Sequence, residues 1–155
     1  MSGGTAAPTH GTLWGRSKVL AMSAAPFDTS VCNTARAVLE RHPAIDAAYL
    51  LGSAAAGRLR PDSDVDIAVL PRRGHMLSVP DRLAIAAELS VIFTRQVDLG
   101  VLTPVNVVYA KEAVTHGQLI FARDRMTAAR FAMHTLSMYA ALQEARREVL
   151  RAYAA

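Results

Sequence analysis

The chain has 155 residues, 52% of them hydrophobic, a formal net charge of +4 and a sequence pI near 9.7. That length suits one domain with a real core, and the single Cys32 excludes both a disulfide framework and a cysteine-rich zinc site. No apolar run reaches the roughly 20 residues of a membrane span, and the stretch after Arg16 and Lys18 is too short for a secretory leader.

Residues 1–26 are rich in Gly, Ala, Ser, Thr and Pro without a sustained period and read as a disordered tail, leaving 27–155 as the folded domain. "DTSVCNTARAVLERH" spaces Val31, Ala35, Val38 and Leu39 as a helix, with Asp28 as its cap and Pro43 as its stop. "IDAAYLLG" reads as a buried strand and "DVDIAVL", ending at Pro71, as its neighbour. Between them "SAAAG" forms a short helical turn. Ser78 with Asp81 predicts a capping box, Pro80 falls in the first turn, and "RLAIAAELSVIF" continues the helix. "QVDLGVLT" predicts a third strand, "PVNVVYAKEAVTH" a helix stopped at Gly117, and "QLIFAR" a short strand. Residues 124–153 predict a long final helix whose core stripe is Phe131, Leu136, Tyr139, Leu142 and Val149. Met138 is also assigned to the core, His75, His116 and His134 to surface or packing roles, and Arg146, Arg147 and Arg151 to a solvated face. The alternation predicts an α/β (α+β) fold, a small sheet packed on helices.

The chemistry concentrates in "LLGSAAAGRLRPDSDVDIAVL", residues 50–70. Asp64 and Asp66 are two apart at the start of a strand, so they point to the same side and repel unless a cation lies between them. A P-loop is excluded because Arg58 and Leu59 stand where Lys and Ser/Thr are required. A calcium loop starting at Asp62 fails at Ile67 and Arg73, where Gly and Glu are required. The reading that uses every feature takes Gly52 and Ser53 as a phosphate-holding turn and the carboxylates as magnesium ligands.

Gly52 and Ser53, ten intervening residues, then Asp64-Val65-Asp66 resemble the signature of the polymerase-beta-type nucleotidyltransferase superfamily, and the short chain resembles its minimal branch. "QVDLGVL" offers Asp98 where that family carries a third aspartate. The resemblance implies a polymerase-beta-like fold, a mixed sheet with a long C-terminal helix. It further implies that Asp64, Asp66 and Asp98 are catalytic and hold two Mg²⁺ ions, and that Ser53 holds the triphosphate of ATP. Many members carry a basic residue where Ala56 stands, and Arg58 or Arg60 is the candidate replacement for the phosphate contact.

Minimal members resembling this chain are commonly antitoxins that transfer AMP to a tyrosine of a HEPN-domain ribonuclease toxin. The expectation is therefore a cytoplasmic protein adenylyltransferase with such a toxin as partner, without membrane or direct nucleic-acid binding. Two alternatives stand beside it. One is a small-molecule transferase of the aminoglycoside type, which usually needs a further helical domain. The other is a non-catalytic antitoxin, which intact aspartates oppose and Ala56 favours. The HEPN nuclease signature is itself absent, because Leu136 follows His134 where a tyrosine is required.

Overall fold

The computed structural model describes residues 27–154, and the predicted tail at 1–26 lies outside them. Nine elements follow in chain order. They are α1 (Thr29–Glu40), β1 (Ile45–Leu50), α2 (Gly52–Ala55), β2 (Val65–Pro71) and α3 (Val79–Phe93), then β3 (Val97–Val101), α4 (Val107–His116), β4 (Gln118–Ala122) and α5 (Arg125–Ala154). The strands form one mixed sheet in the order β3-β2-β1-β4. β1 pairs antiparallel with both β2 and β4, whereas β2 and β3 are parallel, as two strands joined through a crossover helix can be.

Both faces of the sheet are covered, which explains the nearly unbroken apolar strands. Alternate residues point to opposite faces. Leu50, Val65, Ile67 and Leu99 face α1 and α3, where they meet Val38, Leu39, Ile85, Leu89 and Phe93. Ala47, Tyr49, Ala68, Leu70 and Leu102 face α4 and α5, where they meet Ala110, Ala113 and Ala128. The second interface is built from small residues, so the helices lie close to the sheet.

Local signals act as their chemistry requires. Ser78 and Asp81 form the reciprocal capping box of α3, with Pro80 in its first turn. Asp28 precedes α1 but does not cap it, because its carboxylate accepts the Ser30 hydroxyl at 2.9 Å instead of a backbone N–H.

The core stripe predicted for α5 needs correction. Phe131 and Tyr139 are half-buried, but Leu136, Met138, Leu142 and Val149 are exposed, and the buried residues of the helix are Ala128 and Thr135. For Leu142 and Val149, beyond the half-buried Tyr139, the cause is length. Thirty residues of helix span about 45 Å, against roughly 17 Å for the five-residue strands beneath. Helical period identifies a common face without identifying what lies opposite it.

Candidate active site

β1 ends and β2 begins at one end of the sheet, and the predicted residues meet there. Asp66 and Asp98 are direct register partners on the parallel strands β2 and β3, so their backbones run about 4.8 Å apart with side chains on the same face. By the same alternation this is the α4–α5 face. Asp64 immediately precedes β2, two residues from Asp66. Burial raises the pKa of Asp66, and the carboxylates of Asp98 and Asp64 raise it further. Asp66 is thus a carboxylate flanked by two others, all three exposed to solvent.

The Gly-Ser turn closes on this group. Leu51 N–H donates to Asp66 O at 2.8 Å, fixing the end of β1 against the start of β2. Gly52 has φ +59°, and a Cβ there would stand 2.9 Å from Asp66 Oδ2. Glycine therefore meets two requirements at this position, left-handed backbone and close approach of the Asp66 carboxylate. α2 starts at Gly52, one residue before the predicted start. Its first intrahelical bond runs from Ala55 N–H to Leu51 O, so the preceding N–H groups, that of Ser53 included, come before the helical ladder.

A cleft of about 590 Å³ adjoins this turn, lined by Gly52, Ala56 and Arg58 on one side and by Glu112, Thr115 and His116 of α4 on the other. Arg58 and Gly52 are thus brought to the same cavity. Arg60 is exposed and is not part of its lining.

Two residues absent from the sequence reading belong to this region. Arg95 Nη1 donates to the carbonyl oxygens of Arg60 at 3.0 Å and Ser63 at 3.4 Å, and also to that of Pro61. It ties the loop leading to Asp64 to the strand carrying Asp98. Tyr109 of α4 lays its hydroxyl over Gly100, where an added Cβ would come within 2.0 Å of the oxygen. Its pKa is raised by burial, then by Asp98 and Asp66. The signal for Tyr109 was Gly100 itself, since a glycine inside a strand marks a close approach. Arg95 had no comparable signal.

Among the described residues no three His, Cys, Asp or Glu side chains are drawn together tightly enough to hold a metal unaided. The donor set nevertheless fits a hard divalent ion. It offers only carboxylate oxygens, and the mutual repulsion felt at Asp66 is what a cation would relieve. Phosphate oxygens supplied by a nucleotide complete such sites.

Residues 33–126 match the family described as Polymerase beta, Nucleotidyltransferase. The chain belongs to that nucleotidyltransferase family. The protein adenylyltransferase MntA of Shewanella oneidensis is 32% identical over 108 residues, covering 70% of this chain and 76% of that protein. A crystal structure of a toxin-antitoxin with AMP-PNP contains a chain 30% identical, with a TM-score of 0.66, covering 80% of this chain and 98% of that one. A structure of tri-AMPylated Shewanella oneidensis HEPN toxin in complex with MNT antitoxin contains a chain 28% identical, with a TM-score of 0.62, covering 81% of this chain and 98% of that one. The polymerase-beta-like fold expected from the Gly-Ser and Asp-Val-Asp spacing is therefore the fold of this nucleotidyltransferase.

Proposed function

We propose that the chain is a Mg²⁺-dependent protein adenylyltransferase, the antitoxin of a toxin-antitoxin pair, which transfers AMP from ATP to a tyrosine of its HEPN ribonuclease partner. The observation that carries this reading is the in-register pairing of Asp66 with Asp98 against the Gly52 turn. The likeness to MntA and to the AMPylated complex supports the choice of acceptor. No described helix is long and apolar enough to cross a membrane, and a cytoplasmic location fits a nucleotide-dependent enzyme with one cysteine.

Asp64, Asp66 and Asp98 would hold magnesium, which when bound neutralises phosphate charge and polarises the reacting phosphoryl group. Ser53 and the N–H groups opening α2 receive the triphosphate, and Arg58 reaches it from the adjoining cleft. The acceptor oxygen forms a bond to the α-phosphorus, the bond to pyrophosphate breaks, and Asp98 takes the hydroxyl proton. A tyrosine hydroxyl has an ordinary pKa near 10, so a base beside it is needed at neutral pH. AMP left on the toxin adds a negative charge, which opposes RNA phosphates.

The acceptor is tested by offering ATP labelled at the α-phosphate to the chain with its HEPN partner and an aminoglycoside together. Label on the partner is the expected result. Label on the aminoglycoside would assign the small-molecule reaction, and an unlabelled but silenced partner would assign inhibition by binding alone.

A further inference from the structure

At the sheet end opposite the aspartates, Ile45 of β1 pairs with Pro71 of β2, and the chain turns through Arg72, Arg73 and Gly74. Arg72 lies six extended residue steps from Asp66, about 20 Å. A cleft of about 510 Å³ opens there, with Arg72, Arg73, Arg123 and Arg130 facing Asp46 and Asp124.

The six charges are not equally committed. Arg123 is consumed by backbone, its Nε donating to Ile45 O at 3.1 Å and its Nη2 to Glu40 O at 3.1 Å and His42 O at 3.0 Å. Asp124 accepts from the Thr127 hydroxyl at 2.7 Å and from the N–H groups of Met126 and Thr127 at 3.0 Å each, and these bonds, with the nearby charge of Arg130, hold its pKa below the usual carboxylate value. No ion pair among the described residues engages Arg72, Arg73 or Arg130. Four arginines therefore line a cleft that holds the two carboxylates of Asp46 and Asp124, an excess of positive charge suited to phosphate.

A second cleft of about 780 Å³ adjoins the first and shares Asp46, Arg72, Arg73 and Thr127 with it. Its floor is apolar, formed by Leu70, Leu102, Pro104 and Phe131, and His75 and His134 stand at its sides. Arginines at one end and an apolar, imidazole-edged floor at the other match the two halves of a nucleotide. Both volumes lie in the range of small-molecule sites.

We propose that this end of the molecule is a second, metal-independent nucleotide site. It takes a nucleoside polyphosphate, with the phosphates on Arg72, Arg73 and Arg130 and the base over the apolar floor. The site is separate from the aspartate centre and independent of what that centre modifies.

Calorimetric titration of the full chain with the non-hydrolysable analogue AMP-PNP at millimolar concentration tests it. With magnesium, two equivalents bind; in EDTA one equivalent remains. The Arg72→Ala/Arg73→Ala/Arg130→Ala variant loses the metal-independent equivalent, weakened at least tenfold, and keeps the magnesium-dependent one. Its transfer rate at saturating ATP stays that of the parent. Arg73→Glu alone, a substitution on an exposed turn, weakens the same equivalent and serves if the triple variant misfolds. Absence of binding in EDTA, or EDTA-resistant binding that survives the arginine substitutions, overturns the proposal.

Discussion

Asp66 carries two opposed requirements, because the position that makes it useful to a cation makes it costly without one. Its folded-state pKa lies above the ordinary carboxylate value, chiefly through burial and then through Asp98 and Asp64. A raised carboxylate pKa means the folded state holds its proton more tightly than the unfolded chain. Stability from this group is therefore present at low pH and lost as pH rises through the folded pKa. In metal-free buffer at neutral pH, Asp66→Asn is expected to melt at or above the temperature of the parent. The difference should vanish on acidification through the carboxylate range, near pH 4. Added magnesium should raise the parent melt and leave the variant unmoved. Parallel thermal melts over pH check this, and a large loss of stability in metal-free Asp66→Asn would contradict the repulsion.

Gly52 is the second residue whose role is set by its surroundings. Gly52→Ala places a methyl group 2.9 Å from Asp66 Oδ2 on a backbone of φ +59°. Left-handed backbone costs an alanine roughly 1–2 kcal/mol. The expected result is a modest drop in melting temperature with a disproportionate loss of transfer, since the carboxylate must move. That Asp66 follows Asp64 by two residues and lies beside a glycine turn was legible in the sequence, because a strand's period of two and a turn's need for glycine are local properties.

At the level of elements, the active centre depends on holding β2 and β3 in register and on holding the loop before β2 in place. The first comes from Val65 N–H bonding Gln96 O at 2.9 Å and from Leu102 N–H bonding Val69 O at 2.8 Å at the two ends of the pair. The second comes from Arg95, whose guanidinium gathers the carbonyls of Arg60, Pro61 and Ser63. Arg95→Ala is expected to lower kcat and weaken magnesium dependence at least tenfold with little change in melting temperature, because the loop is exposed. Arg95→Lys should recover part of the loss. Steady-state kinetics with magnesium titration separates this from a merely structural role, which would shift the melt and leave the magnesium dependence alone. Nothing in "TRQVD" announces this contact, because its three acceptors lie more than thirty residues earlier and meet Arg95 only after the sheet has formed. Tyr109 over Gly100 illustrates the same limit, with a visible notch and an invisible occupant.

Across the whole molecule, charged groups are distributed along the length of the sheet. Asp64, Asp66 and Asp98 gather at one end of β2, and Arg72 and Arg73 stand at the other. The order of strands and helices was readable from hydrophobic period, since each strand is short, apolar and bounded by turn residues. The packing of α5 was not readable, because its apolar residues beyond Tyr139 outrun the strands below. The transfer reaction belongs to the proposal for the aspartate end, and its decisive test uses the intact protein. The chain is incubated with ATP, magnesium and its HEPN partner, and the partner is weighed by intact mass spectrometry beside an Asp98→Asn control. One or more AMP increments on the partner, lost in the control and accompanied by loss of ribonuclease activity, is the expected result. Increments that persist with a folded Asp98→Asn chain, or a partner that gains no mass with the parent chain, would contradict transfer by the Asp64–Asp66–Asp98 centre.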